Sequence, residues 1–142
     1  MNIQITENEV KHLLNALSIY EWVTNSPHEE SDPGVDEFCQ SILEKLSVSG
    51  VKDPIQQDDG NFTVSEPFFQ ELFESYIEPY NDNVFWTDLS SELAQRDLEL
   101  EYSPKEVQSL KPEDVEKRLN RAMQEYDEEF EKNGVDRLFL KV

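Results

Sequence analysis

Apolar residues recur at intervals of three or four along most of the chain, which is the spacing of amphipathic helices. In the first third of the chain this pattern predicts helices over residues 7–24 and 35–47, separated by a loop rich in proline and acidic residues. Thr6 and Glu9 have the spacing of a capping box, in which each side chain bonds the other residue's backbone amide. The simplest packing of the two helices is an antiparallel hairpin over residues 6–47.

Two further helices are predicted between Ser65 and Glu101. Ser65 is placed to cap the third helix, and Pro79 is expected to end it, because proline lacks a backbone amide and its ring clashes with the preceding turn. A fourth helix then begins near Val84 and continues to about Glu101. The predicted buried faces of both helices contain Phe68, Phe69, Leu72, Phe73, Tyr76, Ile77, Phe85, Trp86, Leu89, Leu93 and Leu100.

The last third of the chain predicts a short helix followed by a long one. Ser103 and Glu106 form a second capping-box motif, which opens a helix of one or two turns through Leu110. The fifth main helix begins at Pro112. Gly134 is expected to end it in a left-handed conformation, which glycine adopts without steric cost.

Short β-strands are predicted either within residues 51–64 or at the two termini. In the first alternative, β-capable runs flank the turn signal Asp58-Asp59-Gly60-Asn61, and Pro54 restricts the first run to a sheet edge. In the second alternative, Ile3–Ile5 pairs with the alternating tail of residues 137–142. The sequence does not decide whether residues 51–64 form a hairpin or a loop.

The expected fold is therefore mainly α, with about five helices in an irregular bundle around an aromatic-rich core. A chain of 142 residues has the length of a single domain, here residues 1–142. Within it, the hairpin of residues 6–47 and a main helical block of residues 65–142 are joined by the connecting segment of residues 48–64.

Negative charge is concentrated in the first two-thirds of this chain. Residues 1–101 contain 22 acidic and 4 basic residues, whereas residues 102–142 contain 10 and 8, which together give the net charge of −20. A surface of one sign attracts basic partners and repels both nucleic acid and anionic membranes. We therefore expect a basic protein partner, no direct binding of nucleic acid and no membrane association.

The acidic residues of the third and fourth helices fall at helical spacing. Glu71, Glu74 and Glu78 lie at positions i, i+3 and i+7 and form a stripe that Asp82 extends. Asp88 and Glu92 begin a similar line on the fourth helix. The candidate partner-binding residues are Glu71, Glu74, Glu78, Asp82, Asp88 and Glu92. The alternative interpretation is a solvated face that only keeps the protein soluble.

The sequence offers only fragments of metal-binding motifs. An EF-hand loop aligned on Gly60 and Glu66 places Ile55 and Gln57 at two ligand positions, so primary carboxylates are missing. Glu9 and His12 have the spacing of one half of a di-iron motif, but no second half is present. No metal site and no cofactor is therefore predicted.

Catalytic signatures are also missing. The chain has two histidines, one cysteine and four glycines, and contains neither a nucleophile elbow nor a phosphate-binding glycine loop. Cys39 lies beside Phe38 on an apolar face and is expected to be a buried core residue. A leader sequence and a long apolar run are not recognisable, so a cytoplasmic protein is expected.

These observations favour a non-enzymatic acidic module that binds a basic protein. A sharper hypothesis is an inhibitor that mimics DNA, of the anti-defence or immunity type, and blocks a nucleic-acid-processing enzyme. One alternative is a structural subunit of a larger assembly, with Ile19 and Trp22 at the contact. Another is a small metal-dependent enzyme that uses scattered carboxylates. The basic cluster Lys111, Lys117, Arg118 and Arg121 is interpreted as internally paired, or else as a dock for acidic residues.

Overall fold

A computed structural model describes residues 3–139, of which 72% are helical. Its elements in chain order are α1 (Glu7–Asn25), α2 (Pro33–Val48), β1 (Ile55–Asp58), β2 (Asn61–Val64), α3 (Glu66–Leu72), a π-helical turn (Phe73–Ile77), α4 (Glu78–Glu101), α5 (Pro104–Ser109) and α6 (Pro112–Asn133). The segments α3, π-helical turn and α4 follow one another without a break. Counted as one helix, they bring the described residues to five helices, and the prediction of a mainly α fold with short strands is confirmed.

The chain forms two compact units, of which the first ends at Glu78 and the second begins at Pro79. The connecting segment of residues 48–64 lies inside the first unit. The core of that unit is formed by buried apolar side chains of α1, α2 and β1. They are Leu14, Leu17, Val35, Cys39, Leu43, Leu46 and Ile55.

Local hydrogen bonds explain where α1 and α2 begin. The Thr6 hydroxyl accepts a hydrogen bond from the Glu9 amide, and the Thr6 amide donates to the Glu9 carboxylate at 2.7 Å. This is the capping box that the sequence predicts. Asp32 caps α2 by accepting hydrogen bonds from the Gly34 and Val35 amides, with Pro33 in the first turn. Both caps satisfy amides that a helix leaves unpaired at its start.

Residues 51–64 contain a two-stranded antiparallel hairpin, which decides between the alternatives left by the sequence. Ile55 pairs with Val64 and Asp58 with Asn61, so only Asp59 and Gly60 form the turn. Both turn residues have positive φ, 45° and 84°, as a turn that matches the twist of a hairpin requires. Residues 3–6 and 134–139 form no strand, and residues 140–142 of the other predicted pairing lie outside the described residues.

The Gln40 side chain connects α2 to the hairpin. Its amide nitrogen donates to the Phe62 carbonyl at 2.6 Å, and its amide oxygen accepts from the Phe62 amide at 2.7 Å. Gln40 thus bonds both backbone groups of one strand residue, as a neighbouring strand would. The outer edge of β2 is satisfied at this residue by a single side chain.

Two predictions about the third helix are wrong. Ser65 occupies the position before α3, but its side chain makes no capping hydrogen bond. Pro79 does not end the helix, because the preceding turn widens to a π-helix in which the Glu78 amide donates to the Phe73 carbonyl, five residues back. The wider turn changes the hydrogen-bond pattern just before a residue that lacks an amide and crowds the helix interior.

The second unit packs α4 against α6 through aromatic side chains. Trp86 contacts Phe130, with ring centroids 5.4 Å apart, and Phe130 stacks on Tyr126 at 5.9 Å. Three further residues of α4 are buried, namely Leu93, Ala94 and Leu98.

The second unit also shows how its helices start and stop. Ser103 and Glu106 form the predicted capping box at the start of α5. Gly134 has the expected positive φ of 55°, but its ψ of −137° departs from the left-handed helical conformation.

Three residues of the predicted buried faces are exposed, namely Tyr76, Phe85 and Leu100. Helical periodicity selects a face to within about one position, so it does not decide between neighbours such as Phe85 and Trp86. None of the helices in residues 3–139 combines the length and the apolar character that crossing a bilayer requires.

Candidate functional site

The first acidic group consists of Glu71, Glu74 and Glu78, and all three residues are exposed in the first unit. The Glu71 carboxylate accepts a hydrogen bond from the Lys11 ammonium at 3.1 Å, which forms a salt bridge between α3 and α1. Glu74 accepts from the Gln70 side-chain amide at 2.6 Å. Among residues 3–139, no basic side chain lies within 4.0 Å of the carboxylates of Glu74 or Glu78.

The spacing of the first acidic group differs from the predicted stripe. The predicted stripe requires 3.6 residues per turn from Glu71 to Glu78, but the π-helical turn lies between these two residues. A π-helix closes its hydrogen bonds over five residues and therefore takes more residues per turn. Glu78 is consequently rotated about the helix axis from the position that a regular helix would give it relative to Glu71.

The second acidic group consists of Asp82, Asp88 and Glu92, which are exposed on α4 in the second unit. Asp88 and Glu92 are one turn apart, so their side chains are neighbours on the helix surface. In the part of the chain that the structure describes, neither these two carboxylates nor that of Asp82 has a basic side chain within 4.0 Å.

Arg96 shows why Glu92 is left without a cation. The two residues are four positions apart, a spacing that often gives a salt bridge. The Arg96 guanidinium instead bonds the Asp97 carboxylate at 2.7 Å and the Tyr126 hydroxyl at 3.0 Å.

The same network sets the ionisation of its acid. Burial raises the pKa of Asp97, but hydrogen bonds from Tyr126 and Arg96 outweigh burial and leave that pKa below its ordinary value. Asp97 therefore stays ionised and retains Arg96.

The sequence around the two groups contains no cation at all. Between Lys52 and Arg96 there are ten acidic residues and no lysine or arginine. Of these ten, the structure pairs only Glu71 with a basic side chain within the described residues. Because local neutralisation is impossible in this stretch, its charge is compensated by residues far along the chain or by the solution.

The basic cluster of α6 is partly paired within its own unit. Arg118 bonds Glu101 at 3.3 Å and lies over the Tyr102 ring at 5.1 Å, and Arg121 bonds Glu125 at 2.9 Å. These contacts agree with the interpretation of the cluster as internally paired for two of its four residues. These exposed pairs are of a kind worth at most about 1 kcal/mol each.

The remaining chemical candidates have structural roles. Cys39 is 1% exposed, and its pKa is raised to about 11 by burial first and then by the negative charges of Glu21 and Asp36. Asp59 and Gly60 form the hairpin turn, and Glu9 is engaged in the α1 cap. In residues 3–139 there is no group of three or more histidine, cysteine or acidic side chains placed to hold a metal ion.

The structure also reveals exposed apolar residues beside the acidic ones. Val84 and Phe85 are 37% and 53% exposed on α4, one turn before Asp88. The sequence pattern assigns Phe85 to the core, so its exposure is a correction.

A comparison with protein-family models, with curated proteins and with solved structures finds no match.

Proposed function

We propose that this protein is a non-enzymatic interaction module whose acidic surfaces bind a basic protein partner. The observation that supports the proposal is the run between Lys52 and Arg96, which contains ten carboxylates and no lysine or arginine. Within the described residues, only one acid of this run, Glu71, forms a salt bridge. Unpaired surface carboxylates raise the local concentration of cationic partners and speed their association. We include a cytoplasmic location and the absence of direct nucleic-acid binding in the proposal.

The test is capture of partners from the source cell at low and then at high salt. We expect the immobilised protein to retain basic proteins near 50 mM salt and to release most of them at about 0.5 M, because exposed charges are then screened over a few Å. A retained partner that is acidic, or whose affinity does not fall as the salt concentration rises, would contradict the proposal. Capture of no protein at low salt would contradict it as well.

A charge-reversal variant assigns the effect to the first acidic group. Glu74→Lys with Glu78→Lys should slow association with the captured partner at least tenfold and flatten its dependence on salt. The matched control is Glu128→Lys with Glu131→Lys, which changes the net charge equally at exposed positions of α6. Equal loss in both variants would show that total charge matters and the first acidic group does not.

A sharper form of the proposal is a mimic of DNA that inhibits a nucleic-acid-processing enzyme. Asp88 and Glu92 lie one turn apart on α4, so their Cβ atoms are about 5–6 Å from each other, which is of the order of the phosphate spacing along a strand. In this form, duplex DNA competes with the protein for the captured partner and the protein inhibits that partner's activity on nucleic acid. A partner that still binds at saturating DNA rejects the mimic and retains the broader module.

A further inference from the structure

The outer face of α4 carries an exposed aromatic ring that is held in place from behind. Phe85 is half exposed, and its ring packs edge-on against Trp86 with centroids 4.9 Å apart. Trp86 in turn contacts the buried Phe130. A ring fixed in this way loses little conformational freedom when a partner binds. The free energy gained by burying the ring is therefore offset less than it would be for a mobile side chain.

Along this face, two apolar side chains are followed by two anionic ones. Val84 and Phe85 precede Asp88 by one turn, and Glu92 follows Asp88 by one turn. We name these four residues the α4 outer face. Asp88 and Glu92 have no basic side chain within 4.0 Å among residues 3–139. The face therefore offers an apolar contact and two uncompensated charges at neighbouring positions.

The charge of this face selects its occupant. A second copy of the chain would bring its own carboxylates against Asp88 and Glu92, and the net charge of −20 adds a general repulsion. Anionic membranes and nucleic acid are repelled for the same reason. A protein segment with cationic and apolar side chains at matching intervals has neither penalty.

We propose that the α4 outer face docks a basic amphipathic segment of a partner protein. An apolar side chain of the segment contacts Phe85 and Val84, while lysine or arginine side chains pair with Asp88 and Glu92. This inference rests on the proposed function and adds to it an apolar anchor. Because salt screens charge pairs and leaves apolar contacts intact, part of the affinity then persists at high salt.

The test uses two synthetic helical peptides with equal numbers of lysines. The first peptide has leucines along one face, and in the second these leucines are replaced by glutamine. We expect the leucine peptide to bind the protein at least tenfold more tightly than the glutamine peptide at 0.3 M salt. Fluorescence anisotropy of labelled peptides measures both affinities.

Protein variants separate the apolar anchor from the charges. Phe85→Ala should lower the affinity for the leucine peptide at least tenfold and leave the affinity for the glutamine peptide unchanged. Asp88→Asn with Glu92→Gln should lower the affinity for both peptides. The matched control is Phe38→Ala, since Phe38 is equally exposed on α2 and also contacts an aromatic ring, that of Tyr20. Thermal melting confirms that each variant is folded.

Each other outcome contradicts the apolar anchor, the proposed function or the identity of the occupant. If Phe85→Ala binds both peptides as the unmodified protein does, the anchor is rejected and the proposed function stands. If Phe38→Ala weakens the leucine peptide equally, the apolar contact is not specific to α4. If neither peptide binds at 50 mM salt, the proposed function fails together with the anchor. Concentration-dependent dimerisation that Phe85→Ala abolishes would make a second copy the occupant.

Discussion

Glu21 is a half-buried acid on α1. The pKa of its carboxyl is raised by burial first and then by the negative charge of Asp36. A raised pKa means that the folded state favours the protonated form. The corresponding stability is fully present at pH values below the ordinary glutamate pKa, and it is lost as the pH rises through the raised one. At neutral pH the charged Glu21 therefore destabilises the fold.

We predict that Glu21→Gln raises the melting temperature at pH 7 and that the gain disappears near pH 3. The amide keeps the shape of the protonated acid and cannot ionise, so the variant differs from the parent only where Glu21 is charged. Melting curves followed by circular dichroism at both pH values measure the difference.

Glu37→Gln is the control for the Glu21 prediction, because Glu37 is exposed on α2 and its loss changes the net charge equally. If Glu37→Gln stabilises the protein as much as Glu21→Gln at pH 7, the gain comes from lower overall repulsion. The burial of Glu21 would then have no part in it.

At the scale of the elements, the Gln40 side chain makes the hydrogen bonds to β2 that a neighbouring strand would otherwise make. The outward-facing backbone groups of Phe62 would otherwise need a partner, since an unpaired backbone group in a partly buried place costs free energy. Gln40 supplies a donor and an acceptor at once. The position of the hairpin against α2 is thus fixed by an amide that hydrophobic periodicity does not reveal.

We predict that Gln40→Met lowers the free energy of unfolding by about 1–3 kcal/mol, the cost of leaving polar groups without partners. Methionine keeps the length of the side chain and removes both hydrogen bonds. Urea denaturation measures the loss. Gln57→Met is the control, because Gln57 lies directly opposite Phe62 in the hairpin and is exposed. Equal losses in the two variants would show that the hydrogen bonds of Gln40 are not the cause.

The sequence predicted those elements that depend on near neighbours. Both capping boxes involve residues three apart. The hairpin, whose turn depends on two adjacent residues, Asp59 and Gly60, was only one of two alternatives that the sequence left open. Pro79 was misread because its usual effect assumes a regular α-helix on its N-terminal side. The π-helical turn supplies another hydrogen-bond pattern there, and a rule based on single residues does not foresee it.

At the scale of the whole molecule, the balance of charge is far from neutral. The chain has 32 acidic and 12 basic residues, and salt bridges within residues 3–139 are few and exposed. Like charges on a compact body repel one another and reduce its stability relative to the expanded chain. The repulsion decreases as dissolved ions screen it.

We predict that the melting temperature rises by several degrees between low salt and about 0.3 M sodium chloride, where the screening length is only several Å. Sodium chloride is preferred to sulfate, which stabilises most proteins by exclusion from their surface. Differential scanning calorimetry measures the transition. A melting temperature that falls over this range would mean that favourable ion pairs outweigh repulsion.

The candidate site was predictable in part. Exposure of all six acidic residues follows from their polar character and from the apolar residues between them. The salt bridge of Glu71 did not follow, because Lys11 lies sixty residues earlier in the chain. The exposure of Phe85 was also missed, since periodicity does not separate it from Trp86. Contacts between distant residues and the choice between neighbours both depend on packing.

The missing cations between Lys52 and Arg96 also have a practical consequence. Trypsin cleaves only after lysine and arginine, so complete digestion leaves one peptide from Asp53 to Arg96 that carries all six candidate carboxylates. Carbodiimide coupling of a neutral amine labels accessible carboxyl groups and adds a fixed mass to each. Mass spectrometry of this single peptide, with and without the partner, therefore maps which carboxylates the partner covers.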